Sequence, residues 1–161
     1  EKPWATTGAV GRAPNVVNSL FLRAEDLEQH NWDLQKKYAA MQQEKRYETY
    51  LADEDLDVLI VAYGTVARIS RTSIDALREK GLKVGLFRPI TLYPYPSEAL
   101  WATAQRARHV LVAELSAGQM VEDVMLSVNG KVPVKHFGRN GGIITTPEEV
   151  VEKLKSIFIG G

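Results

Sequence analysis

The chain has no cysteine among its 161 residues, and that absence removes more chemistry than any motif supplies. Disulfides, thiolate nucleophiles, zinc–thiolate sites and cysteine-held iron–sulfur clusters are all excluded within it. It also lacks a charge imbalance: 20 basic and 20 acidic residues give a formal net charge of zero, so no long-range field draws it to nucleic acid or to an anionic membrane. No apolar run approaches the roughly 18 to 20 residues that span a bilayer. The opening EKPWATTGAVGR lacks the apolar segment of a signal peptide, so a cytoplasmic protein is expected. Glycine spacing excludes G-x-G-x-x-G, the P-loop and the G-x-S-x-G nucleophile elbow, and with the last of these goes an independent hydrolase. His30, His109 and His136 are isolated in sequence from metal-ligand partners, so no metal site is expected. The chain opens on Glu1 in mid-sequence, which reads as a piece of a longer polypeptide; processing would leave the same start.

What is present is an ordered alternation of elements. Residues 1 to 22 carry Pro3, Gly8, Gly11 and Pro14 and read as a linker. From Ala24 to Leu51 the composition turns to Glu, Gln, Lys, Ala and Tyr without Gly or Pro, and Leu27, Leu34, Tyr38 and Met41 form a narrow apolar stripe. A long amphipathic helix is predicted there. The expected division is an arm and helix over 1–52 and an α/β domain over 53–161.

In that second part Leu56–Tyr63 is a near-continuous apolar run, as in a strand covered on both faces. A helix is predicted over Val66–Lys80 with Gly81 just past its end, then a strand at Lys83–Phe87 and the stretch RPITLYPYP, whose prolines stop helix and inner strand alike. Helix at Pro96–Ala107, strand at His109–Glu114, helix at Gly118–Val128 and strand at Val132–Phe137 follow. In the last helix Thr146, Pro147 and Glu149 take cap, first and third positions, and Val150, Val151, Leu154, Ile157 and Phe158 form the buried face. Alternating strands and helices predict a three-layer α/β/α sandwich on a mostly parallel sheet. Four strands are clear from residue 56 onward.

Ligands in open parallel sheets bind at the carboxyl ends of strands. Four such loops occur here: Gly64-Thr65, Arg88–Thr91, Glu114–Gln119 and Gly138–Gly142. Gly64 and Thr65 are either an anion site before a helix or a tight turn with Thr65 as cap. Arg88 is either a carboxylate clamp or the ion-pair partner of Glu114, and the second reading is preferred. Gly141 and its neighbour Gly142 are either an anion nest or a turn needing positive φ. No residue stands out as catalytic or cofactor-binding. Gly64, Thr65, Arg88 and Gly141 are the anion-site candidates.

DVLIVAYGTVARI, GLKVGLFRPITLYPYP, AELSAGQMVEDVMLSVNGK and HFGRNGGIITTPEEVVEKL resemble, in order and spacing, the C-terminal part of the alpha subunit of 2-oxoacid:ferredoxin oxidoreductases. WATTG, GR and QKKY…EKRYETY are most similar to the 2-ketoisovalerate branch. The resemblance implies a transketolase C-terminal-like domain with a mostly parallel sheet of about five strands in which one strand is reversed, and the fifth strand is then expected at Val16–Leu22 or near the carboxyl end. It implies a non-catalytic assembly part of an enzyme that oxidatively decarboxylates a 2-oxoacid, such as 2-ketoisovalerate, 2-oxoglutarate or pyruvate, to acyl-CoA. Thiamine diphosphate, magnesium, iron–sulfur clusters and CoA would belong to the intact complex and none to this chain. The implied partners are an N-terminal thiamine-binding-type domain of the same subunit, the beta and gamma/delta subunits and, through them, ferredoxin; neither nucleic acid nor membrane is among them. The other function class left open is a small-anion or nucleotide-binding α/β module. Tyr93, Tyr95, Trp101, Trp4 and Trp32 are the candidate interface anchors, or else cover the domain's own core.

Overall fold

The computed structural model describes residues 1–159, with side chains described to residue 157. Its contacts divide the chain into Glu1–Met41 and Gln42–Gly161.

In the first unit, helix α1 spans Ala24–Met41 and buries none of its residues. Asn15 ties the preceding segment by donating to the carbonyls of Pro3 (2.7 Å) and Ala5 (3.0 Å), and Phe21 stacks on His30 with ring centres 4.7 Å apart. The helix predicted to reach Leu51 ends ten residues earlier.

The second unit holds strands β1 (Tyr47–Tyr50), β2 (Leu56–Ala62), β3 (Val84–Pro89), β4 (Ala107–Glu114) and β5 (Val134–Gly138). Between them run helices α2 (Gly64–Arg78), α3 (Ser97–Ala104) and α4 (Met120–Val128), and α5 (Pro147–Ile159) follows β5. The sheet order is β1-β3-β2-β4-β5; β1 is antiparallel to β3 and every other neighbour pair is parallel. The fifth strand is therefore Tyr47–Tyr50, and neither Val16–Leu22 nor the carboxyl end supplies it. Tyr47, Thr49 and Tyr50 are residues that favour a pleated surface, and Leu51, at φ 51°, turns the chain out of the strand.

Two-sided burial explains the continuous apolar runs. Leu59, Val61, Phe87, Val110 and Val112 pack against Leu100, Val121, Val124 and Val128 of α3 and α4. Val58, Ile60, Leu86, Leu111 and Ala113 face Val66, Ile74, Leu77, Val150 and Leu154 of α2 and α5. The pleat sends alternate residues to opposite helical layers, so the inner strands β2, β3 and β4 are apolar along their covered stretches, while the edge strands β1 and β5 are not. In the last helix Val150, Leu154 and Ile157 are buried and Val151 is partly so; the side chain of Phe158 lies outside the described residues. Met125 of α4 is 49% exposed.

Helix ends follow local chemistry. After α2, Gly81 at φ 83° lets Leu82 N–H reach the Leu77 carbonyl at 3.2 Å. Asn129 at φ 48° ends α4. Thr146 and Glu149 form the expected reciprocal cap: Glu149 N–H donates to Thr146 Oγ1 (3.3 Å), and Thr146 N–H donates to Glu149 Oε2 (3.1 Å).

Candidate functional site

The carboxyl ends of the parallel strands hold two clusters. At the end of β4, the Glu114 side chain is fully buried. The chain turns there from β4 into α4, whose first N–H groups have no partner within the helix. Glu114 supplies it: Met120 N–H donates to Oε2 (3.0 Å), Val121 N–H to Oε1 (3.3 Å), and Ser116 Oγ–H to Oε2 (2.7 Å). His136 of β5 brings Nε2 to 3.2 Å from Oε1, an ion-pair contact without hydrogen-bond alignment. Burial pushes the Glu114 carboxyl up, but the Ser116 hydroxyl, the two N–H groups and the His136 charge outweigh it and hold the group below its usual range. Ser and His both converge on one carboxylate here. No hydroxyl is handed to an imidazole, so the constellation is a helix anchor rather than a nucleophile–base pair.

Gly138, opposite Glu114 in the register, leaves room for this arrangement. A Cβ there would stand 2.6 Å from His136 Cε1 and collide with the Ser116 carbonyl oxygen.

The second cluster lies where β3 ends and α2 begins. Arg68 and Arg71 of α2, Arg88 of β3, Gly64 and Ala67 line a cleft of about 100 Å³. Arg88 was expected to pair with Glu114; its partner is Glu48, directly opposite it in the β1–β3 register, at 2.9 Å. The physical reason is the strand order: β2 separates β3 from β4, so Arg88 and Glu114 sit two strands apart. Glu48 Oε1 also takes Arg71 at 2.6 Å. The Arg88 hydrogen bond, reinforced by the charges of Arg88 and Arg71, keeps the Glu48 carboxyl below its ordinary range.

Of the four anion-site candidates, the structure brings Gly64 and Arg88 together in this cleft. Thr65 and Gly141 do not line it. Thr65 is inside the first turn of α2, whose cap residue is Tyr63 with no side-chain cap bond, so the expected Thr65 cap is absent. Gly141 and Gly142 have φ of 65° and 85°, the positive values of the turn reading. Arg139 of the same loop is tied to Glu149 of the α5 cap. Among the described residues no group of three His, Asp or Glu side chains can hold a metal ion, and no helix is long and apolar enough to cross a membrane. The donor set needed for an iron–sulfur cluster is missing from the sequence itself, and the residues here do not fit the magnesium that accompanies a diphosphate cofactor.

Tyr95 and Trp101 pack against the α3/α4 core, and burial raises the Tyr95 phenol well above its ordinary value. Tyr93 remains 62% exposed. Sequence reading missed Glu48, Arg68, Arg71 and His136. The signal for the two α2 arginines was present, since residues three or four apart after Gly64 share the helix face beside the strand end. Glu48 and His136 needed the sheet order, which spacing does not supply.

Comparison with known proteins agrees with this architecture. The model of pyruvate:ferredoxin oxidoreductase core domain II matches residues 56–150, more than half of the chain. Ketoisovalerate oxidoreductase subunit VorB of Methanothermobacter marburgensis is 39% identical over 155 residues, covering 96% of this chain and 44% of the relative. The chain thus spans less than half the length of that curated relative. Among solved structures, 2-oxoglutarate:ferredoxin oxidoreductase from Magnetococcus marinus, solved with 2-oxoglutarate, coenzyme A and succinyl-CoA bound, superposes with a TM-score of 0.65 at 22% identity, over 89% of this chain and 24% of its own. A split-gene transketolase, an inactive beta4 tetramer, gives 0.58 at 22% identity, over 69% and 40%. These two likenesses concern the fold, the mixed five-stranded sheet with its reversed edge. With the model spanning β2 through the start of α5, the chain belongs to the pyruvate:ferredoxin oxidoreductase core domain II family.

Proposed function

We propose that this chain is a non-catalytic support and assembly domain of a 2-oxoacid:ferredoxin oxidoreductase subunit, working in the cytoplasm. The observation that carries the reading is the family match from β2 to the start of α5 together with the chemistry of the rim. The most buried ionisable cluster, Glu114 with Ser116 and His136, has its carboxylate spent on the N-terminus of α4. The intact enzyme decarboxylates a 2-oxoacid with thiamine diphosphate and magnesium, forms an acyl-CoA and passes electrons through iron–sulfur clusters to ferredoxin. The similarity to VorB favours a branched 2-oxoacid. Those cofactors are held by a thiamine-binding-type domain and by beta and gamma/delta subunits. Residues 1–52 act as the connecting arm and 53–161 as the docking domain, with β1 shared into the sheet from the arm side.

Exposed apolar groups on the loop after β3, Ile90, Leu92 and Tyr93, support the assembly role. The 161-residue chain, incubated with 2-ketoisovalerate, CoA, thiamine diphosphate, magnesium and a dye acceptor, is expected to give no acceptor reduction above the protein-free rate. Turnover by the chain alone would refute the proposal.

A further inference from the structure

The arginine cleft is not used by the support role, and its charge is uncompensated. Arg68, Arg71 and Arg88 converge on about 100 Å³, while among the described residues Glu48 is their one ion-paired carboxylate. Three guanidiniums against one carboxylate leave a local excess of two positive charges. Like charges gathered this closely repel, and a surface that keeps them together is stabilised by an anion between them. Arg68 is exposed and makes no ion pair among the described residues. Arg88 spends one terminal nitrogen on Glu48, and its Nε has no hydrogen-bond partner among the described residues.

The adjoining backbone is compatible with such an anion. Gly64 opens α2 at φ 56°, and a Cβ placed on it would meet nothing within 4 Å, so the peptide there is open to close approach. The first N–H groups of α2 carry the positive end of the helix dipole, and no side chain caps them. Nothing like Glu114, which fills this role for α4, occurs at α2.

Size and donor count select the ligand. A cleft this small is well under the several hundred cubic ångströms that enclose a cofactor-sized molecule, so it fits a head group alone. Two parallel N–H bonds from one guanidinium suffice for a carboxylate, whereas three guanidiniums around a helix N-terminus match the several oxygens and double charge of a phosphoryl group. We propose that the cleft formed by Gly64, Arg68, Arg71 and Arg88 is a binding site for a phosphoryl group, either inorganic phosphate or the phosphate of a small phosphomonoester. This goes beyond the support role and does not depend on it.

The test is a titration of the ¹⁵N-labelled 161-residue chain at constant ionic strength with inorganic phosphate, glycerol 3-phosphate and acetate in separate arms, followed by amide shifts. Saturable shifts at residues 64–71 and 88 are expected with phosphate, with a dissociation constant on the order of 1 mM. Arg68→Gln, at an exposed position, keeps the spectrum of the folded chain and weakens phosphate about tenfold. Glu48→Gln, which removes the competing carboxylate, tightens it severalfold. A purely structural set of arginines predicts no such gain. A tighter fit for glycerol 3-phosphate identifies a phosphomonoester as the ligand, and a looser one identifies free phosphate. The proposal is overturned by non-saturable shifts, by equal affinity in Arg68→Gln, or by acetate filling the same residues as tightly as phosphate, the result expected if the cleft instead receives a carboxylate of a protein partner.

Discussion

Replacing Glu114 with glutamine tests whether a buried carboxylate holds the β4–α4 junction. The substitution keeps the side chain's shape and removes its charge. In the native chain the two oxygens accept three hydrogen bonds, from Ser116 (2.7 Å), Met120 (3.0 Å) and Val121 (3.3 Å), and face His136 at 3.2 Å. A bond to a charged acceptor contributes about 1.5–3 kcal/mol and a neutral one about 0.5–1.5, so neutralising the acceptor loses about 1 kcal/mol at each bond that survives. The glutamine NH₂ replaces one oxygen and points at a donor, so one bond is lost outright. The favourable contact with the α4 dipole, about 0.3–1 kcal/mol, goes with the charge. Against these losses, an amide costs less to bury than a carboxylate. The net expectation is a destabilisation of about 2 kcal/mol at neutral pH, while Glu114→Ala, which strands both N–H groups and leaves His136 unpaired, costs about 3–5 kcal/mol.

Acidity gives the second signature. The folded carboxyl lies below the ordinary value of 4.5, so its stabilisation is complete above that value and is lost as pH falls through the depressed folded one. The gap between native chain and Glu114→Gln should narrow as pH falls below about 4.5 and the carboxylate is protonated. Urea denaturation followed by circular dichroism at a series of pH values measures this, with a midpoint shift of about 1 M expected at pH 7. A neutral-pH gap under about 0.5 kcal/mol, or one that does not shrink once the carboxylate is protonated in strong acid, would refute the reasoning.

Two further substitutions probe the packing around this frame. Gly138→Ala drives a Cβ to 2.6 Å from His136 Cε1 and onto the Ser116 carbonyl, and is expected to cost about 2–3 kcal/mol; an unchanged melting temperature would mean that the β5 end has slack the structure does not contain. Leu154→Ala empties a fully buried position between α5 and the sheet and should cost about 3 kcal/mol, whereas Met125→Ala, at an outward-facing position, should cost under about 0.5 kcal/mol. Calorimetry on the pair checks the orientation of α4, because a buried Met125 would cost nearly as much as Leu154.

How much of this was readable in the sequence depends on the range of the interaction that decides each feature. The inner strands β2, β3 and β4 were legible because burial on both faces leaves no polar residue in runs such as Val58–Ala62. The caps at Gly81 and Thr146–Glu149 were legible because each is settled within a turn of chain. β1 was not: it is four residues long, its side chains are only half-buried or exposed, and it follows a helix-favouring segment with no Gly or Pro between them. Its strand conformation is imposed by pairing with β3, through the register Tyr47↔Pro89 to Tyr50↔Leu86, and by Ile90 N–H reaching back to the Arg46 carbonyl at 2.9 Å. A residue forty positions away decides the conformation, and local propensity cannot see it.

The same distinction separates the two rim clusters. Reading Arg88 and Glu114 as partners was chemically sound, since each ends a strand and carries the opposite charge. It failed because strands consecutive in sequence are not consecutive in the sheet: β2 lies between β3 and β4. That insertion has consequences on both sides. It hands Arg88 to Glu48 and so gathers three arginines over one carboxylate beside α2. It also leaves Glu114 without a guanidinium, so a fully buried carboxylate must be satisfied by a hydroxyl, two helix N–H groups and an imidazole. One end of the rim therefore carries surplus positive charge open to an anion, while the other has used its negative charge on the fold. One strand order thus leaves three arginines over one carboxylate beside α2 and commits the Glu114 carboxylate to the start of α4.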